Sequence, residues 1–329
     1  MPNLVTLADL RRAAENIAGV AVRTPLLPCL WADGLWLKPE NLQPVGAFKV
    51  RGAVHALAEL SDAVRARGVV THSSGNHGQA LAFAARRAGV SCVVVMPTAA
   101  APVKVAAVRG LGAEVVLVPA DQRDARAADL AAERGLTMIP PFDHPDVIAG
   151  QGTLGLEIAA DRPDLTCVLV PVGGGGLAAG VATAIRALLP AARIIGVEPE
   201  LAADAAQSLA EGSLVVWPVE QTYRTVADGL RTHLSELTLA HLRRHLDGIV
   251  TVSEAEILAT VGILARSARV VAEPSGAVAV AAWLHRRAHL RERFGVADGP
   301  AVAVISGGNI DPAVLAGLLA GSSPGQNPA

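Results

Sequence analysis

Short runs of β-branched residues alternate along the chain with alanine-rich stretches whose apolar positions recur at helical spacing. The pattern predicts strands at 35–38, 68–72, 91–96, 114–118, 166–170, 193–197 and 301–305. Between them it predicts helices at 79–88, 103–109, 124–134, 147–160 and 177–189. Strand–helix alternation at this pitch predicts an α/β fold, with a mostly parallel sheet and helices on both faces. The run Cys92-Val93-Val94-Val95-Met96 shows no polar alternation, as expected of a parallel strand covered from both sides. Thr6 followed by Asp9 predicts a capped helix start. No solenoid repeat is present. The terminal segment 321–329, rich in Gly, Ser and Pro, is expected to be a disordered tail.

At 329 residues the chain can bury a substantial core in one or two domains. A formal net charge of −2 gives no electrostatic case for nucleic acid or an anionic membrane as partner. No apolar stretch is long enough to span a bilayer. Asp9, Arg11, Arg12 and Glu15 interrupt the N-terminus where a leader would need an apolar run. Cys29, Cys92 and Cys167 lack CxxC spacing; Cys92 and Cys167 fall in apolar runs and read as buried, reduced thiols. A cytoplasmic location follows as the expectation. Lysine occurs only as Lys38, Lys49 and Lys104, with arginine supplying the other cations. A guanidinium cannot condense with an aldehyde as a primary amine does, so an amine nucleophile has three candidates. Lys49 lies in Gly46-Ala47-Phe48-Lys49-Val50-Arg51-Gly52, an apolar setting that would lower its pKa by desolvation.

Open α/β sheets bind ligands at the carboxyl edge, where strands turn into helices. Three such turns have unusual composition. Ser73, Ser74, Gly75, Asn76 and His77 precede a helix whose N-terminus would favour a carboxylate or phosphate. Their structural alternative is a helix cap with turn glycines. Gly173, Gly174, Gly175 and Gly176 follow an apolar strand, and no Cβ keeps an anion from their N–H groups. The same loop also satisfies G-x-G-x-x-A through Ala178, with Glu198 placed as a ribose ligand would be in an NAD-binding unit. From this loop alone the two readings stay open. Ser306-Gly307-Gly308-Asn309, at a third strand end, offers a hydroxyl to a heterocycle nitrogen or forms an ordinary turn.

Lys49 in Gly-Ala-Phe-Lys, the SSGNHG turn, the tetraglycine loop and the final Ser-Gly-Gly-Asn occur in this order. Together with Arg23-Thr24-Pro25-Leu26, Lys38-Pro39-Glu40-Asn41 and Val147 through Thr153, they resemble the serine/threonine dehydratase and serine racemase family. These are fold-type II pyridoxal-phosphate enzymes. The resemblance implies a two-domain α/β enzyme, its cofactor in the cleft between a large domain (1–45 and 147–329) and a small one (46–146). It implies β-elimination from L-threonine or L-serine to a 2-oxo acid and ammonia, with serine racemase or 3-hydroxyaspartate dehydratase as alternatives. Lys49 corresponds to the cofactor-bearing lysine and proton acceptor, with Phe48 beside it. Asn76 matches the donor to the cofactor's ring oxygen, the four glycines its phosphate cradle, and Ser306 the partner of the ring nitrogen. Ser73, Ser74, Gly75, Asn76 and His77 match the substrate-carboxylate loop. Ser74 also matches the acid/base of the racemases, which permits racemisation without establishing it.

Glu198, Ala202 and Asp204 match a divalent-cation site of these racemases, two carboxylates and a carbonyl suited to Mg²⁺, Mn²⁺ or Ca²⁺. Without the resemblance they read as acids at a helix start. Arg123 and Thr232 resemble positions near the substrate side chain, although Arg123 also reads as part of a solvated Arg/Asp face. A homodimer is implied, and the short segment after Ser306 predicts no appended amino-acid-sensing domain.

Overall fold

The computed structural model describes residues 2–73 and 75–321; Ser74 and residues 322–329, most of the tail segment, lie outside them. The ten strands are β1 (Leu27–Pro28), β2 (Leu35–Pro39), β3 (Val69–His72), β4 (Cys92–Pro97) and β5 (Glu114–Val118), then β6 (Thr137–Met138), β7 (Cys167–Pro171), β8 (Arg193–Pro199), β9 (Gly248–Val252) and β10 (Ala301–Ile305). They form two sheets, ordered β1-β2-β10-β7-β8-β9 and β5-β4-β3-β6. Every pairing is parallel except β1 with β2. All seven strands expected from the sequence are present, with ends shifted by at most two residues. Three were not foreseen. β1 and β6 have two residues each, too few to show a period, whereas the Gly-Ile-Val-Thr-Val run of β9 had signal enough to be read.

The central strands of the larger sheet are buried on both faces, and side-chain alternation divides them between two cores. Val168, Val170, Val302 and Val304 face the helices Leu7–Ile17, Pro145–Asp161 and Gly176–Leu188. Cys167, Leu169, Ala301, Ala303 and Ile305 face the helix Pro274–His285. The smaller sheet divides in the same way: Val69, Val94 and Met96 pack with the helices Lys49–Ala58 and Asn76–Ala88, and Val70, Val93 and Val95 with Arg123–Arg134. The helix Pro145–Asp161 spans both bodies, giving Val147 to the smaller core and Ile148 to the larger. Thr6 and Asp9 form the reciprocal cap their spacing predicts. All three cysteines are buried and unpaired, their thiols pushed up to about 12 by desolvation. Among the described residues, no helix is long and apolar enough to cross a membrane.

A buried ionic cluster fixes the helix Lys49–Ala58 against the larger body. Arg51 is wholly enclosed. Its Nε and Nη2 donate to the two oxygens of Glu40 (2.7 and 2.8 Å), and Nη1 and Nη2 to those of Glu157 (2.6 and 2.9 Å). Lys38 donates to Glu157 and to the Thr24 carbonyl, both at 2.6 Å. Burial works to raise the Glu40 carboxyl, yet Arg51, Thr24 and Lys38 hold it below its ordinary value. Two cations balance two carboxylates, and both forked pairings use the planar geometry of guanidinium. Replacing Arg51 by Met leaves carboxylates without their partner in a dry site. The expected loss is about 3–5 kcal/mol of unfolding free energy, read from denaturant midpoints; a change within about 0.5 kcal/mol, the scale of a surface substitution, would contradict this account.

Candidate active site

Lys49 stands at the start of its helix, and the chain leading to it is tied to the end of β10. Phe48 N donates to Ser306 O (3.1 Å), Ala47 bridges to Gly307, and Gly308 N donates to Gly46 O (2.9 Å). Ser306 and Lys49, 257 residues apart in sequence (306 − 49), are thereby held together. The Lys49 amine donates to the Pro141 carbonyl at 2.6 Å, and its one other described polar or aromatic contact is the Phe48 ring, 5.0 Å away. Protein atoms crowd the amine with no carboxylate beside it, so desolvation lowers its pKa to about 8.

Next along the chain, Phe142 packs on the tetraglycine loop. A Cβ on Gly174 would strike its ring, and one on Gly176 would lie 3.0 Å from Phe142 Cβ. Gly175 has a φ of +86° and caps the helix that starts at Gly176, a conformation that disfavours any side chain. The loop therefore presents a helix N-terminus, rich in unpaired N–H groups, on the side where Lys49 and Pro141 converge. Gly173 closes against Leu230 Cα, 3.0 Å from where its Cβ would be. Ser306 is buried and donates to Ser275 O (3.3 Å), while Ser275 Oγ accepts from Gly229 N (2.9 Å). Lys49, the four glycines and Ser306 thus gather at the carboxyl ends of β7 and β10.

Asn76 begins its helix as part of the same assembly. Its Nδ2 donates to Glu273 Oε1 (2.7 Å), and its Oδ1 accepts from Asn309 Nδ2 (2.7 Å). Beside Gly75 lies open space, and Gly75 N donates to Ser73 Oγ (3.3 Å). The His77 ring points inward: Nε2 donates to Ile139 O (3.0 Å), and burial, helped by the Lys49 charge, depresses its pKa to about 3. It is neutral, and its imidazole is committed to the smaller body. Ser74 lies outside the described residues.

Phe142 and Glu273 were not anticipated. Phe142 sits in a Pro-Pro-Phe-Asp turn without strand or helix period, and Glu273 before Pro274 reads simply as a helix start. Burial and the neighbouring Asp228 push Glu273 up to about 7.

Glu198, at the end of β8, meets Asp204 at the start of a short helix. Ala205 N (3.1 Å) and Ala206 N (2.7 Å) donate to the Glu198 carboxylate, whose pKa is well raised by burial and by Asp204. Those bonds turn Glu198 towards the start of the helix Asp204–Glu211. Asp204 Oδ2 is buried without a partner, and Ala202 is buried at the end of the intervening turn. Among the described residues no three His, Cys, Asp or Glu side chains cluster as a metal site. Arg123 lies beside His72, whose pKa is depressed by burial and by that guanidinium, and its Nε donates to Ala120 O (2.9 Å). Thr232 is exposed.

A desolvated amine with a pKa near 8 gains nucleophilicity well below the ordinary lysine range, because the neutral form appears as pH rises through that value. Labelling of Lys49 by an amine-selective reagent in protein carrying no ligand on that amine, mapped by mass spectrometry, is expected to reach half its limiting rate near pH 8. A midpoint above pH 10 would show that the amine is not desolvated.

A family model described as pyridoxal-phosphate dependent enzyme matches residues 17–307. The chain is 40% identical to L-threo-3-hydroxyaspartate ammonia-lyase of Saccharomyces cerevisiae, covering 97% of this chain and 98% of that one. It is 46% identical to L-threonine ammonia-lyase of Geobacter sulfurreducens over 84% of this chain and 67% of the relative. The structure of maize serine racemase superposes with a TM-score of 0.91 at 34% identity, covering 95% of this chain and 96% of that one. The residues on hand fit the coenzyme: an amine free of counter-charge, a glycine cradle that leaves no room for side chains, and a buried hydroxyl at the next strand end. With the matched model extending over most of its length, the chain belongs to the pyridoxal-phosphate-dependent enzymes of fold type II.

Proposed function

We propose that this protein is an ammonia-lyase that eliminates the β-hydroxyl of L-threonine or L-serine, giving a 2-oxo acid and ammonia. The observation that carries the reading is the Lys49 amine, desolvated, without a carboxylate partner, and joined through Pro141 and Phe142 to the tetraglycine loop. Pyridoxal phosphate supplies the electron sink that stabilises charge at the substrate α-carbon. Lys49 would hold the coenzyme covalently and, as a free amine, would accept the substrate α-proton. An amine tuned towards neutrality suits that exchange of roles. The N–H groups of Gly173, Gly174, Gly175 and Gly176 would hold the phosphate, Asn76 would donate to the ring oxygen, and Phe48 would lie beside the ring. Ser306 would be the partner of the ring nitrogen; a hydroxyl there would leave that nitrogen less readily protonated than a carboxylate would, which would favour elimination over long-lived carbanion chemistry. The substrate carboxylate takes the turn of Ser73, Ser74, Gly75, Asn76 and His77, where the opening beside Gly75 supports the assignment. Residues 46–146 form the small domain and 1–45 with 147–329 the large one, with the cleft between them. The enzyme acts as a cytoplasmic homodimer in this reading.

Arg123 favours a second substrate. Its guanidinium, next to the residue that leads into Ser73, can pair with the distal carboxylate of 3-hydroxyaspartate. Racemisation through Ser74 is a side reaction of the same site. An amino-acid panel scored for 2-oxo acid and for inverted product tests these readings together. Wild-type protein should form 2-oxo acid from threonine or serine, and Lys49→Ala should form none and retain no pyridoxyl group after borohydride reduction. Arg123→Ala should lower kcat/KM for hydroxyaspartate by roughly tenfold or more, the scale of one charge-assisted contact, while sparing threonine. Normal turnover by Lys49→Ala would refute the proposal.

A divalent cation, Mg²⁺, Mn²⁺ or Ca²⁺, between Glu198, Asp204 and the Ala202 carbonyl is part of the same reading, supported by the partnerless Asp204 oxygen. Chelation is expected to lower the melting temperature and reduce turnover, with both restored by added cation. No change after thorough chelation would remove the metal.

A further inference from the structure

Asn76 is held at both ends of its amide. Its oxygen accepts from Asn309 Nδ2 and its nitrogen donates to Glu273 Oε1, each at 2.7 Å. Turning the amide over would set oxygen against carboxylate and NH₂ against NH₂, so its orientation is fixed by chemistry. One Asn76 N–H remains uncommitted. Glu273 is only 5% exposed, and its own backbone N–H donates to Gly307 O (3.1 Å). Gly307 has no room for a side chain because Glu273 Oε1 and Asn76 Nδ2 fill the space beside it. Asn309 Nδ2 also donates to Val45 O (2.8 Å), in a β-branched residue held at a φ of +62°, a strained conformation at the approach to Lys49.

We propose that Glu273 is a positioning residue for the coenzyme, fixing with Asn309 the Asn76 amide so that its remaining N–H serves the coenzyme's ring oxygen. The inference rests on the role of Asn76 proposed above. Charged groups facing Glu273 are Asp228 and Lys104, themselves paired at 2.8 Å. The carboxyl accepts from Asn76 whether or not it carries a proton, because only one of its oxygens is needed.

The test uses full-length protein stripped of coenzyme and titrated with pyridoxal phosphate. Its readouts are tryptophan fluorescence for affinity, the visible band of the loaded protein, and the melting temperature of the stripped protein as a fold check. Glu273→Ala should weaken affinity roughly tenfold, the scale of one lost hydrogen bond, and move the band as Asn76→Ala moves it. Glu273→Gln keeps an acceptor and should restore both. The double variant Asn76→Ala/Glu273→Ala should be no worse than Asn76→Ala alone. If Glu273→Ala does not fold, Asn309→Ala removes the other tether and carries the test. If Asn76→Ala alters affinity and band while Glu273→Ala and Asn309→Ala leave both unchanged, or if the double variant is additive, the positioning role is overturned and the reading of Asn76 stands. An unchanged Asn76→Ala overturns both.

Discussion

The structure depends on how charge is divided between two cations two positions apart on one helix. Arg51 takes both forks of Glu40 and Glu157 and is fully compensated in a dry interior. Lys49, at the start of the same helix, is left with a carbonyl and an aromatic ring. Had either carboxylate reached Lys49, its ammonium would be stabilised and the amine lost at neutral pH. The cluster therefore fixes the helix and, by engaging the nearby acids, leaves the other cation poised to give up its proton. Arginine suits the first task because it stays charged; lysine suits the second because its charge yields to desolvation.

Close backbone approach does the rest of the assembly. The segment before Lys49 lies along the end of β10, the tetraglycine loop receives Phe142, and Gly173 receives Leu230. Glycine is required at these positions because neighbouring atoms occupy the volume a Cβ would need, and at Gly175 because φ is positive. A loop packed this way is rigid while its N–H groups stay available, the condition for holding an anion without reorganisation. The helix Pro145–Asp161 contributes to both cores, so the two sheets share one packed element.

Much of this was legible beforehand. Seven strands and the parallel α/β class followed from periodicity, because strands buried on both faces leave continuous apolar runs. β1 and β6 escaped because two residues have no period. The helix expected at 79–88 starts at Asn76, drawing the polar turn into its first turn, since glycine and asparagine there gave no propensity signal. Lys49 stood out through the scarcity of lysine and the apolar residues around it. Phe142 and Glu273 carried no such mark; their importance arises from neighbours far away in the chain.

The sequence by itself determined the chemistry on offer: one amine in an apolar segment, a glycine run before a helix, and a serine at a strand end. Each is a local property of composition and spacing, and local order along a chain preserves it. Only the tertiary structure decided which acid meets which cation, that the Asn76 amide is clamped by Glu273 and Asn309, and that Glu198 at the end of β8 turns onto the helix Asp204–Glu211. Those outcomes depend on desolvation and on contacts between residues up to 233 positions apart. The electrostatic value of a side chain is set by what surrounds it in space, and a linear pattern does not contain that information.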